Sequence, residues 1–415
     1  MSNEFNIKAS QIILKPIIEL PISKSISNRQ LMIYTYANLD INKLDISSAD
    51  DSQMLRQLLN EINENETHKT TSVKEIYCKN AGTVSRFLLP LLSLQDNKYL
   101  LNASERMKQR PIKPLVDALR QMGASFDSLD QKLPLVNSPA QYRKSVVDVD
   151  ISNSSQFASA ILMMMPAVFE KSTINLKGDL TSLPYIKLTL ELMRNYGICY
   201  SLDGREISLS GKYSLSNKEY IPERDWSSAS YFYELLALKG EGKMILNGLQ
   251  LNSIQGDKRL AHIFESLGVH SEQLSEGVLI QSTKSINYNQ NIDFEDIPDL
   301  APAIICSCAA LGVIGKFTGL QSLNFKESRR MDVLCSELAK LGYDLRDNGM
   351  DEYILINSCK PQERNADFSN VTINTANDHR MAMAFSPFAL VGKSINITDA
   401  QSVEKSFPDF WKELL

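Results

Sequence analysis

Histidine and cysteine are scarce in this chain. Its 415 residues hold four His, at positions 68, 262, 270 and 379, and six Cys. The histidines share no short spacing, the only close cysteine pair is Cys306 and Cys308, and no CxxC occurs. Structural zinc and thioredoxin-type redox chemistry are thereby disfavoured. Cys306 and Cys308 lie in the apolar run IICSCAALG, so buried thiols in a reducing compartment are expected rather than a disulfide framework. A cationic surplus is missing as well. Lys plus Arg number 44 against 49 Asp plus Glu, a formal charge of -5, whereas general nucleic-acid binding needs clustered positive charge. No run of about 18 apolar residues is present, and the start MSNEFNIKAS has no basic stretch leading into an apolar one. A soluble, cytoplasmic protein with neither membrane nor nucleic-acid partners is the expectation. An ATP-type phosphate cradle is absent too: Lys316 is followed by Phe317, and Gly392-Lys393-Ser394 has Pro387 where a P-loop needs its first Gly.

What the chain does have is repetition. Four amphipathic helical patterns, LVDALRQMG, LTLELMRNYG, AHIFESLG and CSELAKLG, close on Gly123, Gly197, Gly268 and Gly342, at intervals of 74, 71 and 74 residues. A second series of apolar helices interleaves with them. These begin near Ser27, Thr83, Ser155, Ser228, Leu300 and Arg380, each opened by Ser, Asn, Gly or Asp, residues that cap helix starts. Their sequences are apolar nearly all round, which predicts burial. Strand-like stretches such as SVVDVDI, STINLKG, KMILNGL, YILIN and SINIT lie between.

With 43% apolar residues, two cores can be filled. The pattern reads as α/β: six strand-helix-strand-helix units, three in each of two similar domains, with helices inside a wrapping of sheet. The charged, Pro-containing join KEYIPERDWSSAS and the helix-free opening strand QIILKPIIEL predict an N-terminal domain over 22–223. Residues 1–21 and 224–415 are expected to form the second, so that the chain crosses twice at a hinge.

Cations recur at the polar starts of the buried helices or in adjoining loops: Lys24 and Arg29, Arg86, Arg110, Lys326 and Arg330, Arg380 and Lys405. A helix start already offers free N–H groups and partial positive charge to an anion. Repeating the arrangement points to a substrate with several phosphates or carboxylates.

The ordered motifs SKSISNR, NAGTVSR, RPIKPLVDAL, SSQF, GDLTSLPYI, PDLAP, KESRR, NDHRMAMAF and EKSFPDF span almost the whole chain, and together they resemble the 5-enolpyruvylshikimate-3-phosphate synthase family. The resemblance implies two domains of three βαβαββ units joined by a double crossover, an inside-out α/β fold. It also implies no metal and no organic cofactor, and transfer of the enolpyruvyl group of phosphoenolpyruvate to the 5-hydroxyl of shikimate 3-phosphate. A monomer is expected.

Carried onto this chain, the resemblance gives Lys24 to both substrates and Ser25 and Arg29 to shikimate 3-phosphate. Ser154 and Ser155 receive its phosphate, Gln156 reaches both substrates, and Ser182 and Tyr185 line the same pocket. Ser322 and Lys326 belong to that set. Asn80, Gly82 and Thr83 form a corner for phosphoenolpyruvate, with Arg110, Arg330, Arg380 and Lys405 on its carboxylate and phosphate. Asp299 is the expected acceptor of the 5-hydroxyl proton, and Glu327, supported by Lys24, the donor to the methylene carbon. Read locally, Asp299 could equally cap the helix that follows, Glu327 pair with Lys326 or Arg330, and His379 be a packed structural residue. Gly82, at a place where a side chain would crowd phosphoenolpyruvate, implies sensitivity to glyphosate.

Three positions depart from the family pattern. Arg329 replaces a usual Asp, with loss of an ion pair or a new cation beside the site as the expected effect. Phe87 replaces a Pro common after Arg86, where it could reshape the helix, and Ser322 stands for a common Asn. Two rival readings can be set against the first. UDP-N-acetylglucosamine enolpyruvyl transferases mostly carry a loop Cys where this chain has Glu105, and no Cys lies between Cys78 and Cys199. A non-catalytic relative is opposed by the intact set Lys24, Arg110, Asp299, Glu327, Arg330, Arg380 and Lys405.

Overall fold

Contacts divide the chain into two compact units, Lys24–Pro222 and a second made of Met1–Ser23 with Glu223–Leu415. The computed structural model describes residues 4–127, 132–138, 140–180, 182–214, 222–356 and 371–415. Thr181 of the GDLTSLPYI motif lies outside the described residues.

In each unit three helices pack on one another. They are α1 (Lys24–Tyr36), α2 (Gly82–Leu92) and α3 (Gln156–Val168) in the first, and α4 (Trp226–Lys239), α5 (Ala301–Leu311) and α6 (His379–Phe385) in the second. Their sequences leave no polar face for water, and accordingly every residue of α5 and α6 is buried, as is Trp226–Ala237 of α4. Cys306 and Cys308 are buried free thiols within α5.

Around the helices the strands repeat one plan. The first unit has the sheets Lys74–Tyr77, Tyr99–Asn102, Leu135–Ser138, Ser125–Asp127 and Val146–Asp150, Lys171–Lys177, Glu206–Ser210, Cys199–Asp203, each in that spatial order. In both, the first pair is parallel and the other two antiparallel. The second unit repeats this with Asn289–Asp293, Ile314–Thr318, Tyr353–Ile356 and Asp344–Asp347. Its other four-stranded sheet borrows its first strand from the chain start: Ile17–Glu19, from the QIILKPIIEL stretch, runs parallel to Ile245–Asn247. Phe5–Lys8 likewise pairs with Ser394–Ile397 beside Thr372–Ile373.

The two crossing segments are stitched together inside the second unit. Ser23 N donates to Glu223 O at 2.8 Å, Asp225 N to Pro21 O at 2.9 Å, and the Arg224 guanidinium to Leu20 O at 3.0 Å. Among the described residues no helix is long and apolar enough to cross a membrane.

Helix starts were read less accurately than helix positions. α1 begins at Lys24, before Ser27, and α4 is capped by Asp225 rather than Ser228; the Asp225 carboxylate accepts from Ser228 N at 3.0 Å. Ser155 does not cap α3, because its own backbone is already helical (φ -64, ψ -14) and a cap residue must stand in the extended region to reach back.

Candidate active site

In the Lys24–Pro222 unit, the polar starts of all three central helices carry sequence-predicted residues. Lys24 opens α1 and forms an ion pair with Asp51 at 3.3 Å, both side chains largely buried. Asp51 lies in the first turn of the helix Asp50–Glu66, where a carboxylate is favoured by the free N–H groups; the sequence reading missed it.

One chain of hydrogen bonds joins the start of α2, the start of α3 and the segment next to Arg110. The Gln156 amide donates to Thr83 Oγ1 at 3.1 Å and accepts from Arg86 Nη1 at 2.8 Å, while Arg86 Nη2 donates to Pro111 O at 2.9 Å. Arg86 is 3% exposed and its guanidinium lies 5.2 Å from the centre of the Phe157 ring. It therefore fixes Gln156 and the segment next to Arg110 at once.

Arg110 donates toward Asn80 O at 3.5 Å. A Cβ placed on Gly82 would lie 2.7 Å from Arg110 Nη2 and 2.9 Å from Nη1. The absent side chain is thus the space in which the guanidinium sits.

Ser154 and Ser155 precede α3, and Ser154 Oγ accepts from Gln156 N at 3.3 Å. Ser182 has left-handed backbone (φ 58) at the start of the helix Leu183–Asn195, which also carries Tyr185. A left-handed Ser is strained unless its surroundings impose the conformation, and such residues concentrate at functional sites.

Arg29 is held more tightly by protein than its sequence role suggests. Nε donates to Thr189 Oγ1 at 2.7 Å, Nη1 to Ser25 O at 2.8 Å, and Nη2 to Ser159 Oγ and Tyr185 O at 3.3 and 3.4 Å. The guanidinium lies 5.5 Å from the Phe87 ring centre and 5.9 Å from that of Tyr185. Burial pulls its pKa down to about 10, against the pull of Tyr185. Phe87 thus leaves α2 an unbroken helix and supplies an aromatic face to a cation.

The second unit gathers a denser cluster around one guanidinium. Arg330, 1% exposed, donates to Asp299 Oδ1 at 3.1 Å, to Glu327 Oε2 at 2.9 Å, and through Nε to Asp378 Oδ2 at 2.9 Å. Asp378 also accepts from Ser328 Oγ at 2.9 Å and caps α6 through Arg380 N at 3.0 Å. Arg380 returns to Asp299, Nη2 to Oδ2 at 3.0 Å and Nη1 to the carbonyl oxygen at 3.2 Å. Lys326 meets Asp299 at 3.3 Å, and Lys405 stands 3.6 Å from Glu327.

Burial opposes the charge on Asp299, but Arg380, Lys326 and Arg330 together outweigh it and hold the carboxyl well below the usual range. Burial likewise opposes the charge of Arg330, yet Asp378, Glu327 and Asp299 keep it firmly protonated. The Lys326 ammonium is lowered, by burial first and then by Arg330 and Arg380. Asp299 does not cap the helix that follows, whose start has no side-chain cap hydrogen bond, and is instead paired with cations, while Glu327 pairs with Arg330 as its local reading had it. His379 is buried at 1% exposure.

The departures resolve simply. Arg329 turns outward, 64% exposed, to pair with Asp332 at 2.6 Å, so it adds no cation to the cluster. Ser322, half-buried on the turn Gln321–Phe325, is joined to the cluster by no hydrogen bond among the described residues. Asp378 was read from sequence only as the cap of α6, a role it fills, and Asp257, buried beside α4, was not assigned one. Asp378 had a signal in NDHR, an Asp one residue before a helix, whereas Asp257 in IQGDKRL had none.

Comparison with known proteins agrees over nearly the full length. The family pattern of EPSP synthase (3-phosphoshikimate 1-carboxyvinyltransferase) matches residues 10–414. A Bacteroides fragilis (strain YCH46) protein named 3-phosphoshikimate 1-carboxyvinyltransferase is 38% identical over 403 residues, covering 97% of this chain and 95% of its own. One of the same name from Buchnera aphidicola subsp. Cinara cedri is 36% identical, covering 96% and 95%. A solved EPSP synthase from Acinetobacter baumannii superposes with a TM-score of 0.72 at 22% identity, over 99% of this chain and 97% of that one.

Proposed function

From the premise that the chain belongs to the EPSP synthase family, we propose that it transfers the enolpyruvyl group of phosphoenolpyruvate to the 5-hydroxyl of shikimate 3-phosphate. The products are 5-enolpyruvylshikimate 3-phosphate and inorganic phosphate, in the shikimate pathway. The enzyme acts as a cytoplasmic monomer on small molecules, without a cofactor, nucleic acid or membrane partner. The observation that carries this reading is the Arg330 cluster, where Arg380, Lys326 and Lys405 crowd around Asp299 and Glu327.

In this reading Lys24, Ser25, Arg29, Ser154, Ser155, Gln156, Ser182, Tyr185, Ser322 and Lys326 take shikimate 3-phosphate. Lys24, Asn80, Gly82, Thr83, Arg110, Gln156, Arg330, Arg380 and Lys405 take phosphoenolpyruvate. Each charge-assisted bond contributes roughly 1.5 to 3 kcal/mol, and guanidinium forks add orientation. The substrate anions compete with Asp299 for Arg380, Lys326 and Arg330. As those cations turn to substrate, the carboxylate loses the partners that make it a weak base, and its affinity for a proton rises.

Asp299 then accepts the 5-hydroxyl proton while that oxygen bonds to C2 of phosphoenolpyruvate, and Glu327 donates a proton to C3. The resulting tetrahedral adduct returns a proton from the former methylene carbon to Glu327 and expels phosphate from C2, which leaves with the proton taken up by Asp299, restoring the carbon–carbon double bond. Mixing the protein with both substrates and measuring phosphate release tests the reading. Release that requires both substrates is expected; none at millimolar concentrations of each would overturn it.

A further inference from the structure

One buried carboxyl in the second unit is left outside this scheme. Asp257 lies in the turn Gly256–Lys258, which packs on α4; the turn Pro298–Leu300 carrying Asp299, and the helix α6 carrying Arg380, pack on the same helix. The loop before Asp257 is tied to the start of α4. Gln255 Oε1 accepts from Trp226 N at 3.2 Å, and Glu223 receives Ser253 Oγ and, at 2.9 Å, Gln255 Nε2.

Asp257 itself is 4% exposed. Its Oδ2 accepts from Ser227 Oγ in the first turn of α4, and its Oδ1 has no hydrogen-bond partner among the described residues. An ionised carboxylate with a bare buried oxygen is disfavoured.

We propose that Asp257 is a positioning residue of the Arg330 cluster, a buried carboxyl whose proton, held or released, sets how strongly the neighbouring cations hold a substrate anion. The inference rests on the function proposed above. Lys326, Arg330, Arg380 and Lys405 stand with Asp299, Glu327 and Asp378, and a negative charge on Asp257 beside them lowers the pull of these cations on an anion.

The groups that face Asp257 balance near neutrality. Burial first, and then the charges of Asp299 and Asp225, favour the protonated form; Ser227 and Arg380 favour the ionised one; together they push the pKa up to about 7. Asp225 caps α4, accepting from Ser228 N at 3.0 Å and Ser228 Oγ at 2.7 Å. On Asp257's own turn the exposed Lys258 is directed to Ser253 O at 2.7 Å. Asp299 is firmly ionised, whereas the charge of Asp257 changes in the neutral range. Anion affinity is then greatest below about pH 7 and falls above it.

The test compares full-length wild type with Asp257→Asn from pH 6 to 8.5, by calorimetric titration with inorganic phosphate and by KM for phosphoenolpyruvate at saturating shikimate 3-phosphate. The variant-to-wild-type ratio at each pH cancels the ligand's own ionisation. That ratio is expected to stand near one at pH 6 and to favour the variant by roughly three- to tenfold at pH 8.5, the size of one nearby charge removed through a medium of intermediate dielectric. Ser227→Ala keeps the carboxyl but removes the hydroxyl favouring its charged form, so the wild-type midpoint is expected to move to higher pH. A ratio that does not change with pH, or, should Asp257→Asn fail to fold, a midpoint unmoved by Ser227→Ala, overturns the assignment. Absence of enolpyruvyl transfer at every pH would instead overturn the function, with the phosphate titration still reading Asp257.

Discussion

Gly82 owes its place to a neighbour rather than to its own backbone. It opens α2 without a left-handed φ, yet a methyl group there would stand 2.7 Å from the Arg110 guanidinium. That guanidinium is the mobile end of a long side chain, so Gly82→Ala is expected to leave stability within about 0.5 kcal/mol while displacing Arg110. KM for phosphoenolpyruvate should rise roughly tenfold, about 1.4 kcal/mol of lost binding, with KM for shikimate 3-phosphate little changed and glyphosate inhibition weakened. Steady-state kinetics with each substrate varied in turn checks this, and equal losses for both would count against it. The motif order disclosed Gly82 and Arg110 separately, but not that one fits inside the space left by the other. Asp51 and Asp257 escaped for a related reason: their partners Lys24 and Ser227 lie 27 and 30 residues away, and a pairing at that distance leaves no local pattern.

The helices tell the opposite story, because burial writes itself on every residue of a segment. All six central helices were legible from apolar residues on every side, and the strand added by QIILKPIIEL from its lack of a following helix. Their first residues were not, since Asp225 and Ser228 are both residues that cap helix starts and the sequence alone does not choose between them. One residue contradicts the pattern of its own helix. Glu234 in α4 is fully buried, and neither carboxylate oxygen has a hydrogen-bond partner among the described residues. Burial drives its pKa well above the ordinary value. A raised native pKa means that the folded state holds the proton more tightly than the unfolded chain. The stability tied to that proton is complete below about pH 4.5 and is lost as pH rises toward the native pKa. Glu234→Met, similar in size and without charge, is expected to raise stability by about 1 to 3 kcal/mol at pH 8, and by less at pH 5. Urea unfolding at the two pH values measures the difference; a gain independent of pH would argue against a proton held at Glu234.

At the scale of the whole chain, an acidic protein with a charge of -5 concentrates its cations locally, which rules out little about small anions. The segment before Lys24 belongs to the far end of the sequence: Ile7, Ile12, Ile18 and Leu20, each 5% exposed or less, join the core of the unit built from residues 223–415. Four such side chains contribute on the order of 6 to 12 kcal/mol, as much as the net stability of a typical domain. Residues 24–222 expressed alone are therefore expected to melt cooperatively by circular dichroism, and residues 223–415 alone are not; a cooperative transition in the latter would contradict the estimate. The strand Phe5–Lys8 pairs with Ser394–Ile397, so during synthesis the first strand made must wait for nearly the last. At translation speeds of about 5 to 20 residues per second, that interval is roughly 20 to 80 seconds. Throughout it, Ile7 trails outside the ribosome without its strand partner, and Ile18 does so until Ile245–Asn247 has emerged, both available to any chaperone that binds short apolar segments, while the 24–222 unit can fold ahead of them.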